Sequence, residues 1–143
     1  MIVKLLNKLS TRQNIVLSYD PYPEPIYVHA AKTELKQVFL NILKNSFEAI
    51  NEKGSINVTT DLIISEKGDQ RASIVFSDTG PGVDEHIMKN LFMPFFSTKQ
   101  MTTPNMGLGL SIAYNIITKY DGTMSMKNRD SIGCETVITL PAI

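Results

Sequence analysis

Ile74-Val75-Phe76-Ser77-Asp78-Thr79-Gly80-Pro81-Gly82-Val83 carries an apolar strand directly into a turn built from glycine and proline. The strand ends on a carboxylate, Asp78, followed by Gly80 and Gly82, which let backbone come close to a flat ligand. A carboxylate there can accept a hydrogen bond from an exocyclic amine such as that of adenine. An aspartate in a strand-ending turn also arises for local reasons, bonding its own backbone. The stretch alone leaves both readings open.

Working upstream, Ser55 to Ser65 alternates as a strand, Glu66 to Gln70 is turn material, and Arg71 to Ser77 is the hairpin partner. Before them, Lys32 to about Glu52 reads as a long helix that Gly54 ends. Its apolar stripe is Leu35, Val38, Phe39, Ile42, Leu43, Ser46, Ala49 and Ile50, beside a polar stripe of Gln37, Asn41, Asn45 and Glu48. Asparagine is an indifferent helix former, so two of them one turn apart ask for a reason. A side-chain oxygen can ligate a hard cation such as magnesium, whose other ligands are commonly waters and substrate phosphates. A solvated polar face is the plainer explanation. Farther upstream, Pro21, Pro23 and Pro25 break regular structure, Ile26 to Val28 is a short extended piece, Asn14 to Tyr19 a strand, and residues 1–13 have helical spacing.

Downstream, Asp84 to Asn90 suggests a short helix capped by Asp84. Leu91 to Asn105 reads as a long loop, of the kind that tends to be functional or mobile. Gly107-Leu108-Gly109-Leu110-Ser111 then starts a helix running to Tyr120, with Leu110, Ala113, Ile116 and Ile117 inward and Gly122 as its stop. Bare amides and the positive dipole end of such a helix suit a phosphate chain. Thr123 to Asn128 and Glu135 to Leu140 form a closing hairpin, with Ser131 to Gly133 near the turn. Neither a G-x-x-x-x-G-K-[ST] loop nor a complete G-x-G-x-x-G is present.

With 143 residues, 43% apolar and 20% charged, the chain has the size and make-up of one globular domain spanning 1–143. Fourteen basic and fourteen acidic residues cancel, which gives no electrostatic footprint for nucleic acid. Cys134 is the single cysteine, so no internal disulfide forms. His29 and His86 lack a carboxylate or cysteine at metal-ligand spacing. No apolar run nears the roughly 20 residues of a membrane span, and a cytoplasmic location is expected.

In the order Asn41-x-x-x-Asn45, Asp78-x-Gly80-x-Gly82, Phe92-x-x-Phe95-Phe96 and Gly107-Leu108-Gly109-Leu110, these motifs resemble the catalytic, ATP-binding domain of sensor histidine kinases. That domain belongs to the GHKL (Bergerat-fold) superfamily, and the resemblance covers Ile26 to Pro141. It implies an α/β, two-layer sandwich: a mixed, mostly antiparallel sheet of about five strands under three helices. It implies ATP and Mg²⁺ as cofactors, with Asn45 on the metal, Asn41 supporting the phosphates, and Asp78, Gly80 and Gly82 holding the purine. Gly107 and Gly109 would close a lid, roughly residues 88–107, over the phosphates. Glu48, Val83, Phe92, Phe96, Lys99, Leu108, Leu110 and Thr136 complete the candidate ATP site.

The pattern is departed from at Glu48, where many relatives carry lysine; the Asn-x-x-Glu form resembles nitrogen-regulation and sporulation kinases. Asn105 stands in place of the lid motif's first glycine, and Ala31 in place of an aspartate. The family's phosphoacceptor, a histidine followed by an acidic residue, is not met by His29-Ala30 or His86-Ile87. The resemblance therefore implies a catalytic half, a monomer on its own, with residues 1–13 leading from a separate dimerisation hairpin and a response regulator served indirectly. A stand-alone regulator, such as an anti-sigma-factor serine kinase, and a non-catalytic nucleotide sensor are the alternatives.

Overall fold

The computed structural model describes residues 14–50, 53–83, 109–129 and 132–143. Five strands form one sheet: β1 (Ile15–Asp20), β2 (Gly54–Ile64), β3 (Gln70–Asp78), β4 (Thr123–Asn128) and β5 (Cys134–Pro141), in the order β1-β2-β3-β5-β4. Helix α1 (Lys32–Ala49) connects β1 to β2, and α2 (Gly109–Lys119) precedes β4. Only β1 and β2 run parallel, as a helical crossover allows; β2–β3, β3–β5 and β5–β4 are antiparallel.

Alternation along the strands decides which side chains the helices cover. On β5, Cys134, Thr136, Ile138 and Leu140 are buried and the residues between them are half-buried. On β3, the inward phase runs Ala72, Ile74, Phe76 and so reaches Asp78. The core closes these faces against Val38, Ile42, Leu43 and Phe47 of α1 and Ala113, Ile116 and Ile117 of α2. The mixed, mostly antiparallel five-stranded sheet matches the expectation. Two helices lie among the described residues, while the segments read as the short helix Asp84–Asn90, the loop Leu91–Asn105 and the N-terminal helix 1–13 lie outside them.

The helices are antiparallel neighbours, tied near both ends. Asn41 Nδ2 donates to the carbonyl of Gly109 at 3.1 Å, at the start of α2. At its other end, Lys119 Nζ lies 3.1 Å from Glu34, and the Tyr120 hydroxyl donates to the same carboxylate. That hydroxyl also accepts the Ala31 N–H at 3.2 Å. Tyr120 first, and Lys119 after it, hold the Glu34 carboxyl below its usual range.

Two chain stops differ from expectation. Helix α1 ends at Ala49 rather than near Glu52, and Gly54 is not its stop but the first residue of β2. Ile50 adopts extended backbone (φ −83°, ψ 115°) and buries its side chain, so burial ends the helix before its own pattern does. At the end of α2 the left-handed residue is Asp121 (φ 60°), not Gly122. Gly122 serves another need: a Cβ there would lie 2.5 Å from the Thr139 carbonyl oxygen. The α1 stripe is also wider than read, because Phe47 is buried as well.

Candidate functional site

Asp78 is 7% exposed, and its carboxylate is met from three directions. Oδ1 accepts the backbone N–H of Gly80 at 2.9 Å and that of Cys134 at 3.2 Å. Oδ2 accepts the Ser46 hydroxyl at 3.2 Å. An ionised carboxylate has about four lone-pair sites, so Oδ1 is used up while Oδ2 keeps room for one more donor. The local explanation for Asp78, a turn residue bonding its own backbone, is thus true of one oxygen and leaves the other available.

The turn itself is tightly built. Gly80 is buried against Ala49, and a Cβ on it would sit 3.1 Å from Asp78 Oδ1. Gly82 has φ +81°, a conformation that favours glycine. Thr79 ties the turn to β2: its Oγ1 accepts the Ser55 N–H at 2.9 Å, and its N–H donates to the Ser55 carbonyl at 3.1 Å. Val83, the last described residue of this stretch, is bonded at both backbone groups by Asn128.

The remaining candidates follow α1 away from the turn. Ala49 faces Gly80, Ser46 faces Asp78, and Asn41 faces Gly109, so the carboxylate and the start of α2 lie along one helix. Five residues separate Ser46 from Asn41, about 7.5 Å of helix rise. Asn45 is half-buried between them, and among the described residues its side chain makes no hydrogen bond. Its amide oxygen is a hard ligand suited to magnesium shared with phosphates and water. Among the described residues no cluster of three or more His, Cys, Asp or Glu could hold a metal by itself.

Other candidates are placed differently. Glu48 is exposed on α1, and Leu110 packs against the hydrophobic core. The β5 residue in contact with Asp78 is Cys134; Thr136 lies one inward step farther along, paired with Phe76. Burial, and after it the charge of Asp78, push the Cys134 thiol up to about 11. It therefore stays protonated and unreactive at neutral pH. Phe92, Phe96, Lys99, Gly107 and Leu108 lie outside the described residues.

Four contributors to the turn were not picked out as site residues from sequence: Ser46, Asn128, Arg129 and Gly133. Ser46 carried a signal, since a hydroxyl inside an apolar stripe must find a buried partner. The Gly133 signal is visible only in three dimensions: a Cβ there would lie 1.8 Å from the Asp78 carbonyl oxygen. A separate cavity of about 460 Å³ opens under Tyr22 to Val28, lined by Leu35, Phe39, Ala72 and Ile74. Phe39, one of its lining residues, pairs with Phe76 at 5.7 Å between ring centroids.

Residues 30–143 match the family described as histidine kinase-, DNA gyrase B-, and HSP90-like ATPase. Sporulation kinase E of Bacillus subtilis strain 168 is 33% identical over 139 residues, covering 97% of this chain and 18% of that protein. The nucleotide-free catalytic domain of histidine kinase ThkA superposes with a TM-score of 0.81 at 28% identity, covering 98% of this chain and 86% of that one. The structure of ThkA in complex with the response regulator protein TrrA superposes at 0.79 with 26% identity, covering 99% of this chain and 38% of that one. The chain spans between about a fifth and a third of the length of the curated relatives it matches.

Proposed function

The chain belongs to the histidine kinase-, DNA gyrase B-, and HSP90-like ATPase family as a histidine kinase ATPase domain, and from that premise we propose that it positions Mg-ATP for transfer of the γ-phosphoryl group to a histidine on a separate dimerisation domain. The observation that carries the reading is the buried Asp78 carboxylate, one oxygen saturated by backbone and the other still able to accept. A purine amine is the donor that geometry suits.

From Asp78 the triphosphate would follow α1 toward Gly109, where Asn41 holds the start of α2. The start of α2 would turn its positive dipole end toward the phosphates. Asn45 would hold the magnesium ion, which when bound neutralises phosphate charge. In the transfer, the acceptor nitrogen forms a bond to the γ-phosphorus while the bond to the bridging oxygen breaks and ADP leaves. Such transfers need positioning and charge stabilisation more than covalent chemistry from the protein. The 143 residues then act as one unit, on the cytoplasmic side, with a response regulator as the later acceptor. ThkA, seen with TrrA, supports that partnership by similarity.

The test combines the chain, labelled ATP, magnesium and a histidine-bearing dimerisation hairpin from a sensor kinase. Acid-labile phosphate on the hairpin is expected. Tight ATP binding with no phosphohistidine from any hairpin would turn the reading into that of a nucleotide sensor.

A further inference from the structure

We propose that Asn128 and Arg129, at the end of β4, are positioning residues for purine recognition, holding the Asp78–Val83 turn by its backbone. The inference rests on the nucleotide reading of Asp78. A turn containing Gly80 and Gly82 has little stiffness of its own. Its orientation is supplied from outside, by the end of β4.

The Asn128 amide pairs with both backbone groups of one residue. Its Oδ1 accepts the Val83 N–H at 2.7 Å, and its Nδ2 donates to the Val83 carbonyl at 2.6 Å. This is the pairing a neighbouring strand would give, supplied by a single side chain 45 residues away. The same Oδ1 lies 2.8 Å from where a Cβ on Gly82 would be, so the amide rests on two successive turn residues.

Arg129 holds the other end. Its backbone N–H donates to the Gly133 carbonyl at 2.9 Å, closing the β4–β5 hairpin. Its Nη1 donates to the Asp78 carbonyl oxygen at 3.0 Å, a charge-assisted bond. Asp78 is thus fixed by its carboxylate through Ser46, Gly80 and Cys134, and by its backbone through Arg129. Among the described residues the two side chains bind main chain only, and neither bonds Asp78 Oδ2. Their effect on a ligand must pass through the aim of that oxygen, where drift of about 1 Å is costly.

The test reads discrimination, which general loss of stability does not move. ITP carries a carbonyl oxygen where ATP carries the 6-amino group. The full chain and its Asn128→Ala, Arg129→Ala and Arg129→Lys variants are titrated with each nucleotide by calorimetry, well below their melting temperatures. The parent should prefer ATP. In Asn128→Ala and Arg129→Ala the ATP-to-ITP affinity ratio should fall about three- to tenfold, the range of one or two lost hydrogen bonds. Arg129→Lys keeps a cationic donor and should retain most of the preference. Should Asn128→Ala not fold, Asn128→Asp, which keeps the acceptor and loses the donor, carries the test and should also lower the ratio. A ratio unchanged in both the Asn128 and Arg129 variants overturns the proposal alone. A parent that binds both nucleotides equally overturns the purine-amine role of Asp78 and the proposal with it; one that binds neither overturns the nucleotide reading as well.

Discussion

Three donors reach the carboxylate of Asp78, from Ser46, Gly80 and Cys134, whereas the side chain of Asn45, the residue before Ser46 on the same helix, makes no hydrogen bond among the described residues. Asn41, one turn earlier, makes one, to Gly109. In the proposed reading, the purine end of the site has its carboxylate held before any ligand arrives. At the proposed phosphate end, the Asn45 side chain would take its partner with the nucleotide. Preorganisation of this kind lowers the ordering cost of binding at one end and leaves it to be met at the other. It follows that substitutions at the purine end should act on folding and on base choice, and those at the phosphate end on metal dependence.

The largest effect is expected at Gly133. With φ +96° and the Asp78 carbonyl oxygen 1.8 Å from where a Cβ would be, Gly133→Ala must displace backbone. A loss of about 2–4 kcal/mol of folding stability is expected, read from urea denaturation. Wild-type stability in that variant would mean that the hairpin does not press on the turn.

Asp78→Asn comes next. The amide oxygen can still serve the Gly80 and Cys134 N–H groups, and the new amino group can donate to Ser46 Oγ, so the fold should survive. That amino group would face a purine amine, donor against donor. ATP affinity should drop by about 1.5–3 kcal/mol, roughly 10- to 150-fold in Kd. Unchanged affinity in calorimetry would remove the purine role of Asp78.

At the loose end, Asn45→Ala should leave ATP binding without magnesium nearly as it was and reduce the gain from magnesium by about tenfold. Equal gain in parent and variant would sever Asn45 from the metal. The smallest change tests whether looseness belongs to α1 as a whole. Ala31 is the N-cap of α1 and gives it no side-chain bond. Ala31→Asp should add about 1 kcal/mol of folding stability, seen as a raised Tm, with Kd for ATP unchanged. A shifted Kd would show that the phosphate end responds to the stability of the helix that carries it.

Much of this was legible in the chain itself. Period two along Ile74, Phe76 and Asp78 aims the carboxylate at the helix layer, and period 3.6 sets Val38, Ile42 and Ser46 opposite it. The family motifs named Asn41, Asn45, Gly80, Gly82 and Gly109 as candidates, and the mixed, mostly antiparallel sheet was read as it stands. What was hidden depended on partners distant in sequence. Ile50 leaves helical backbone to be buried, Gly122 is needed for a neighbouring strand's carbonyl, and Cys134 meets Asp78 because register, not composition, fixes strand pairing. Asn128 and Arg129 read as ordinary hairpin residues until the chain folds back on Val83 and Asp78.

The most direct measurement is an amide chemical-shift titration of the folded chain with ATP and magnesium. The largest changes should centre on Asp78, Gly80 and Cys134 and extend along α1 to Gly109. Changes centred instead on the cavity beneath Tyr22 to Val28, or none at millimolar ATP, would contradict a purine seated on Asp78.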